Sequence, residues 1–190
     1  MSDDKWNMVS ITIFFLIVQF LLMIGLAEKG YLDYIRSVAV TTAFWIGYTF
    51  LELKYGLCMN NYVRAIVVLT LVSDGLFGYY FNLYSKSFIF DKLLHVFGTY
   101  AFSLLTYILI VQLLNNPVKR SFKFVLVICL GLSIGAFYEV LEFITDTVSH
   151  PILRSQPSLL DTDLDLIGDL IGSVFSGIHA VCRTFINEDF

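Results

Sequence analysis

Charge is what this chain has least of. Only 15% of its 190 residues are Asp, Glu, Lys or Arg, against about a quarter in soluble domains. That shortage argues against a freely soluble globular protein. Proline is also rare, at 3 residues, while Phe and Tyr number 18 and 11, a composition that excludes a disordered or linker-rich chain. Basic clusters of the kind that grip phosphate backbones are missing too. With a net charge of −4, nucleic acid is not an expected partner. The three cysteines, Cys58, Cys129 and Cys182, are far apart and odd in number. They form no disulfide framework and no CxxC metal motif, and are read as small buried residues.

Apolar length is present in abundance. Hydrophobic residues make up 57% of the chain and the mean hydropathy is +0.77. About 20 apolar residues of helix cross a bilayer core. Six stretches approach that length: 9–27, 37–53, 62–81, 92–114, 122–147 and 163–185. The first lacks a strongly basic leader and a small-residue cleavage site, so it reads as a retained span rather than a signal peptide. The expectation is an all-α polytopic membrane protein, about six transmembrane helices in one bundle, forming a single integral membrane domain over 1–190.

Basic residues in the loops set orientation. Six spans put both termini on one side, with Lys5, Lys54, Arg64, Lys119, Arg120, Lys123 and Arg183. The other side carries Lys29, Arg36, Lys86, Lys92 and Arg154. This bias, with the Lys119-Arg120-x-x-Lys123 cluster, places the termini in the cytoplasm.

The scarce charge is unevenly distributed. Eight of the 16 acidic residues lie between Asp91 and Asp169. Most belong to three patterns: Asp91-x-x-x-His95, Glu139-x-x-Glu142 and Asp165-x-x-x-Asp169. Spacings of three and four put each pair on one helix face. The start of the fourth span, the end of the fifth and the start of the sixth must share one membrane side, so the three patterns lie under the same surface. Asp91 and Asp163 also have a plain reading as helix N-caps, and Asp161 as a turn or cap residue. His150 and His179 read as packing residues.

The glutamates resist a plain reading. A carboxylate in hydrocarbon is costly unless paired, and two of them facing further carboxylates require a cation. Lys92, a protonated His95 or a bound metal can supply it. Gly131-x-x-x-Gly135 and Gly168-x-x-x-Gly172-x-x-x-Ser176-x-x-x-Ala180 are small-residue stripes that let membrane helices approach closely, and they predict that the acidic faces meet. One imidazole with several oxygens and no thiol suits Mg²⁺, Mn²⁺, Fe²⁺ or Zn²⁺. Asp74 in the third span is a separate intramembrane carboxylate. It is either functional or part of a Ser73-Asp74-Gly75 helix break with local hydrogen bonds. Tyr79, Tyr80, Tyr84, Phe88 and Phe90 read as an interfacial aromatic belt.

On Asp91-Lys92-x-x-His95, Tyr138-Glu139-x-x-Glu142 and Asp161-Thr162-x-x-Asp165, followed by Gly172, the sequence resembles the YjdF-like family of bacterial inner-membrane proteins. The likeness covers mainly residues 91–177. The same half is distantly similar to the VanZ-like family, with Glu142 at a Gln place and Asp169 at an Asn place. Gly98 and Pro157-Ser158 depart from the YjdF-like pattern. The resemblance implies a multi-pass protein of the bacterial inner membrane and supplies no reaction.

Together these readings predict a metal-dependent membrane enzyme acting on an envelope lipid or lipid-linked substrate. Its expected metal ligands are His95, Glu139, Glu142 and Asp165. Asp161, Asp169 and Asp74 are expected in supporting or substrate roles, Asp91 as the residue orienting His95, and Lys92 as a contact for a phosphate headgroup. A proton- or cation-coupled transporter using the same carboxylates is the alternative, and a non-catalytic membrane or resistance factor is the third.

Overall fold

The computed structural model describes residues 3–114, 119–151 and 154–182. Arg183 and residues 183–185 of the last expected span lie outside them. The elements are α1 (Asp3–Glu28), α2 (Leu32–Tyr55), α3 (Asn61–Ser73), a π-helical segment (Asp74–Tyr80), α4 (Leu83–Lys86), α5 (Phe88–Leu114), α6 (Arg120–Ser149) and α7 (Leu159–Cys182). No strand occurs among the described residues.

Five helices are long and apolar enough to cross a membrane: Lys5–Glu28, Asn61–Tyr80, Phe88–Leu114, Arg120–Ser149 and Leu159–Cys182. The expected second span falls on α2, which forms over 24 residues but is not among the five. Asp33, Arg36, Glu52 and Lys54 dilute its apolar content. Many outward side chains are large and apolar, among them Phe14 and Phe20 on α1, Phe97 on α5, Phe137 and Phe143 on α6, and Phe175 on α7. Water tolerates no such surface on a monomer, whereas lipid does.

The chain forms two compact units, Met1–Lys86 and Ser87–Phe190. In the first, α1 packs on α2, α3 and the π segment. Its core centres on Phe15 and Trp45, both fully buried, with ring centroids 5.7 Å apart. The turn between α2 and α3 is tied by an ion pair. Arg64 donates to Glu52 twice, at 2.8 and 2.7 Å, and once to the Met59 carbonyl at 3.2 Å. Both side chains are buried. Asp74 also lies in this unit, where the Tyr84 hydroxyl donates to it at 2.5 Å. The sequence thus departs from the α-helix at Asp74, and a local hydrogen bond meets the carboxylate there.

In the second unit α5, α6 and α7 pack pairwise against one another. Glycine makes the contacts close. A Cβ on Gly172 would collide with the Val96 carbonyl of α5, and one on Gly168 would stand 3.1 Å from the Lys92 carbonyl. One on Gly135 of α6 would overlap the Asp169 carboxylate, and one on Gly131 would overlap Ser173. The small-residue stripes are where the three backbones meet, as small residues allow between membrane helices. Ser103 of α5 donates to Ser176 of α7 at 2.7 Å along the same seam.

The cysteines correct one expectation: Cys58, Cys129 and Cys182 are all exposed, and none is in a disulfide among the described residues. With lipid as surroundings, no solvent drive pulls a small apolar residue inward.

Candidate metal centre

The polar stripe of α7 is the spine of the site. Asp161, Asp165 and Asp169 follow at intervals of four, so all three point to one face, and all three are buried. Two glycines on that face admit α5, whose Lys92, His95 and Thr99 lie at spacings of three and four. On α6 the space at Gly135 admits the Asp169 side chain, and Glu139 lies one turn further along. Depths below the helix ends are comparable. At 1.5 Å per residue, His95 lies about 10 Å along α5 and Asp165 about 9 Å along α7, while Glu139 is about 15 Å before the end of α6.

Lys92 closes one end of the cluster. Its ammonium donates to Asp91 Oδ2 at 3.0 Å, to Asp165 Oδ2 at 2.7 Å and, by a short bond, to Asp161 Oδ1. An ammonium has three protons, and all three are directed at carboxylates. The expected headgroup contact is therefore replaced by an internal counter-ion. Asp161 is not a cap but a first-turn residue. Ser158 takes the capping place, its hydroxyl oxygen accepting from the Asp161 N–H at 3.2 Å.

His95 occupies the centre. Its Nδ1 lies 3.2 Å from Asp169 Oδ1, which also accepts a short bond from the Thr99 hydroxyl. That arrangement places a proton on Nδ1 and turns Nε2 toward the cluster. Asp169, not Asp91, is thus the residue that orients the ring. Asp91 approaches the opposite nitrogen instead.

Around Nε2 stand three carboxylate oxygens: Glu139 Oε1 at 3.7 Å, Asp165 Oδ1 at 3.8 Å and Asp91 Oδ1 at 3.9 Å. These separations are too long for hydrogen bonds. His95 Nε2, Glu139 Oε1 and Asp165 Oδ1 are buried and make none, and neither does Asp169 Oδ2. Buried polar atoms without hydrogen-bond partners therefore face one another inside a membrane helix bundle. Two sets of ligand-type atoms lie within 4.8 Å of one another: Asp91, His95 and Asp165, and His95, Glu139 and Glu142. Glu142, one turn beyond Glu139, is partly exposed.

Two participants were invisible in the sequence reading. Gln156, from the loop before α7, donates to Glu139 Oε2 at 2.7 Å and to the Glu139 carbonyl at 2.8 Å. Asp146 holds that loop, accepting from the Ser155 and Gln156 backbone N–H groups at 3.0 and 2.9 Å. Thr99 is the other. Its spacing of four from His95 was the available signal.

Of the remaining expected residues, Asp163 is exposed and lies inside α7 rather than capping it. His150 is exposed at a positive φ of 46°. His179 stacks on Tyr100 and exchanges a short hydrogen bond with its hydroxyl.

Residues 9–184 match a family model described as "Predicted membrane protein (DUF2238)". The chain belongs to the DUF2238 family of membrane proteins. All the residues of the cluster fall inside that match. An uncharacterized protein of Thermotoga maritima is 33% identical over 95 residues, which cover 50% of this chain and 49% of that protein. The match thus spans about half the length of that curated relative. No solved structure matches.

Proposed function

We propose that this DUF2238 membrane protein is a metal-dependent enzyme whose single divalent ion is held by His95, with Glu139 and Glu142 on one side of the ring nitrogen and Asp91 and Asp165 on the other. The observation that carries this reading is the set of buried, unpartnered atoms around Nε2. An imidazolium would move toward one carboxylate to about 2.7–2.9 Å, yet here three oxygens stand almost equally far from the nitrogen. Metal bonds of about 2.0–2.2 Å put neighbouring ligand atoms roughly 3.0–3.5 Å apart. The three separations from Nε2, 3.7–3.9 Å, exceed that by only a few tenths of an ångström.

The charge balance points the same way. Asp91, Glu139, Glu142, Asp161, Asp165 and Asp169 surround one lysine and one histidine. Unneutralised carboxylates cost several kcal/mol each at such depth, and a divalent cation removes most of that cost. The donor set admits Mg²⁺, Mn²⁺, Fe²⁺ or Zn²⁺, and its imidazole nitrogen favours the last three.

Such an ion polarises a carbonyl or phosphoryl oxygen and acidifies a bound water. This chain's part is then definite. Asp169 and Thr99 fix the imidazole, and Gln156 fixes Glu139. The helix-end position of the site and its membrane setting make an envelope lipid or lipid-linked molecule the substrate class. The likeness to the YjdF-like family, and more distantly to the VanZ-like family, supports a bacterial inner membrane.

The excess of carboxylates over cations also favours a second reading, a proton- or cation-coupled transporter. Elemental analysis of the purified protein and of a Glu139→Ala/Glu142→Ala variant separates the two. The enzyme reading expects stoichiometric metal in the wild type, lost in the variant. Absence of metal together with pH-dependent cation flux in proteoliposomes overturns it in favour of transport. Neither metal nor flux, with a large loss of thermal stability in the variant, leaves only a structural role.

A further inference from the structure

Two carboxylates in the cluster serve two cation positions at once. Asp91 sends Oδ2 to Lys92 at 3.0 Å and keeps Oδ1 3.9 Å from His95 Nε2. Asp165 sends Oδ2 to Lys92 at 2.7 Å and keeps Oδ1 3.8 Å from the same nitrogen. Each carboxylate therefore bridges from the Lys92 ammonium to the oxygens around Nε2. This is the arrangement by which bridging carboxylates join the ions of a two-metal centre.

We infer that the Lys92 ammonium occupies the second metal position of a site with binuclear architecture, and so restricts the protein to one divalent ion. The inference rests on the metal reading above and adds to it the role of Lys92. Three observations carry it. The ammonium meets three carboxylate oxygens, one from each of Asp91, Asp161 and Asp165, as a metal ion there would. Asp161 is given to that position, while Glu139, at the other end, is given to Nε2. The Nε2 position keeps buried, unpartnered atoms on His95, Glu139 and Asp165, whereas the Lys92 position has its oxygens paired.

The chemical consequence is a fixed positive charge that cannot leave, exchange or carry a metal-bound water. A lysine there supplies one positive charge to the bridging carboxylates at any metal concentration. It leaves a single ion to bind water, and so a single nucleophile-generating centre. Substrate recognition by a pair of ions, of the kind that clamps both the attacking and the leaving oxygen, is excluded.

The test is metal stoichiometry with Mn²⁺ as the probe, on full-length protein purified in detergent from cells grown with and without added Mn²⁺. Wild type and Lys92→Arg are expected to bind about one ion, and Lys92→Gln, which empties the position, about two. Lys92→Gln is also expected to unfold at a lower temperature without Mn²⁺ and to regain the difference with it. One ion in both wild type and Lys92→Gln overturns the inference and leaves the metal reading standing. No ion in the wild type overturns the metal reading itself. Failure to recover folded Lys92→Gln even with Mn²⁺ counts against the inference, because an ion in the emptied position should replace the lost charge.

Discussion

His95 and Glu139, on α5 and α6, hold Nε2 and Oε1 at 3.7 Å with neither atom hydrogen-bonded. A neutral imidazole and a carboxylate so placed repel each other. A positive charge, a bound metal ion or a second proton on the ring, relieves that repulsion. On the metal reading, His95→Ala and Glu139→Ala should each abolish stoichiometric metal in the purified protein. A metal content unchanged in both variants would remove the basis for the proposed chemistry.

The orientation of the ring gives a sharper test. Asp169 accepts from His95 Nδ1 and from Thr99, a partner outside the ligand set that fixes the tautomer. Loss of such partners lowers metal affinity about 10–100-fold. Asp169→Asn should fall in that range, and Thr99→Val should fall less because the Asp169 bond to the ring remains. Competition with a fluorescent chelator measures both. An Asp169→Asn affinity equal to wild type would show that the ring needs no such lock.

Gln156 ties the loop before α7 to Glu139 by two hydrogen bonds, at 2.7 and 2.8 Å. Buried hydrogen bonds contribute about 1 kcal/mol each, so Gln156→Ala should cost about 1–2 kcal/mol in thermal unfolding. It should also weaken metal binding, because Glu139 Oε2 becomes free to rotate toward other partners. Gln156→Leu should share both losses, whereas a change confined to stability would assign Gln156 to the fold alone.

The helices themselves, and their ends to within a few residues, follow from apolar runs that a bilayer allows to be continuous. The meeting of His95, Glu139 and Asp165 was legible for a related reason. Helix ends joined by short connections must share a membrane side, and spacings of three and four fix the face. Which carboxylate holds which nitrogen was not legible. Asp91 and Asp169 both lie four residues from a cluster partner, and only the rotation of α7 on Gly168 and Gly172 puts Asp169 beside Nδ1. Gln156 was hidden because loop conformation has no periodicity. Buried cations were also misread as loop charges. Arg64 is paired with Glu52, and Lys123 is buried, donating to the Ala180 carbonyl at 3.3 Å. Neither is the free surface charge that the count of basic residues assumes.

Glycine positions separate close approach from mere presence in a helix. A Cβ on Gly172 meets the Val96 carbonyl, which is backbone and cannot turn aside, whereas nothing lies within 4 Å of one on Gly47. Gly172→Ala should force α5 and α7 apart at a cost of about 1–3 kcal/mol, the usual range for overpacking, and should lower metal content with it. Gly47→Ala should leave thermal stability unchanged within about 0.5 kcal/mol. Equal effects at the two positions would mean that the seam between α5 and α7 is looser than its backbone contacts require.

Metal occupancy should fall on acidification. The proposed ligands bind only as carboxylates and as neutral imidazole, so protons compete with the ion at every donor. Binding titrations at successively lower pH should therefore show progressively weaker affinity. In Glu142→Gln, whose side chain no longer takes up a proton, the dependence should be shallower. A flat profile in the wild type would mean that the donors are not those named.

In the first unit the Glu52–Arg64 pair offers a test independent of any ligand. Both side chains are buried and doubly hydrogen-bonded, and Arg64 also holds the Met59 carbonyl. Removing one partner leaves the other charge buried and uncompensated, at a cost of about 3–5 kcal/mol. Glu52→Leu and Arg64→Leu should each destabilise by that much. The double variant should recover most of the loss, because no orphan charge remains. It should not recover all of it, since the Met59 carbonyl and N–H lose their partners on the turn between α2 and α3. Thermal unfolding of the four proteins measures the coupling directly. Additive losses in the double variant would show that the two charges are solvated separately rather than paired.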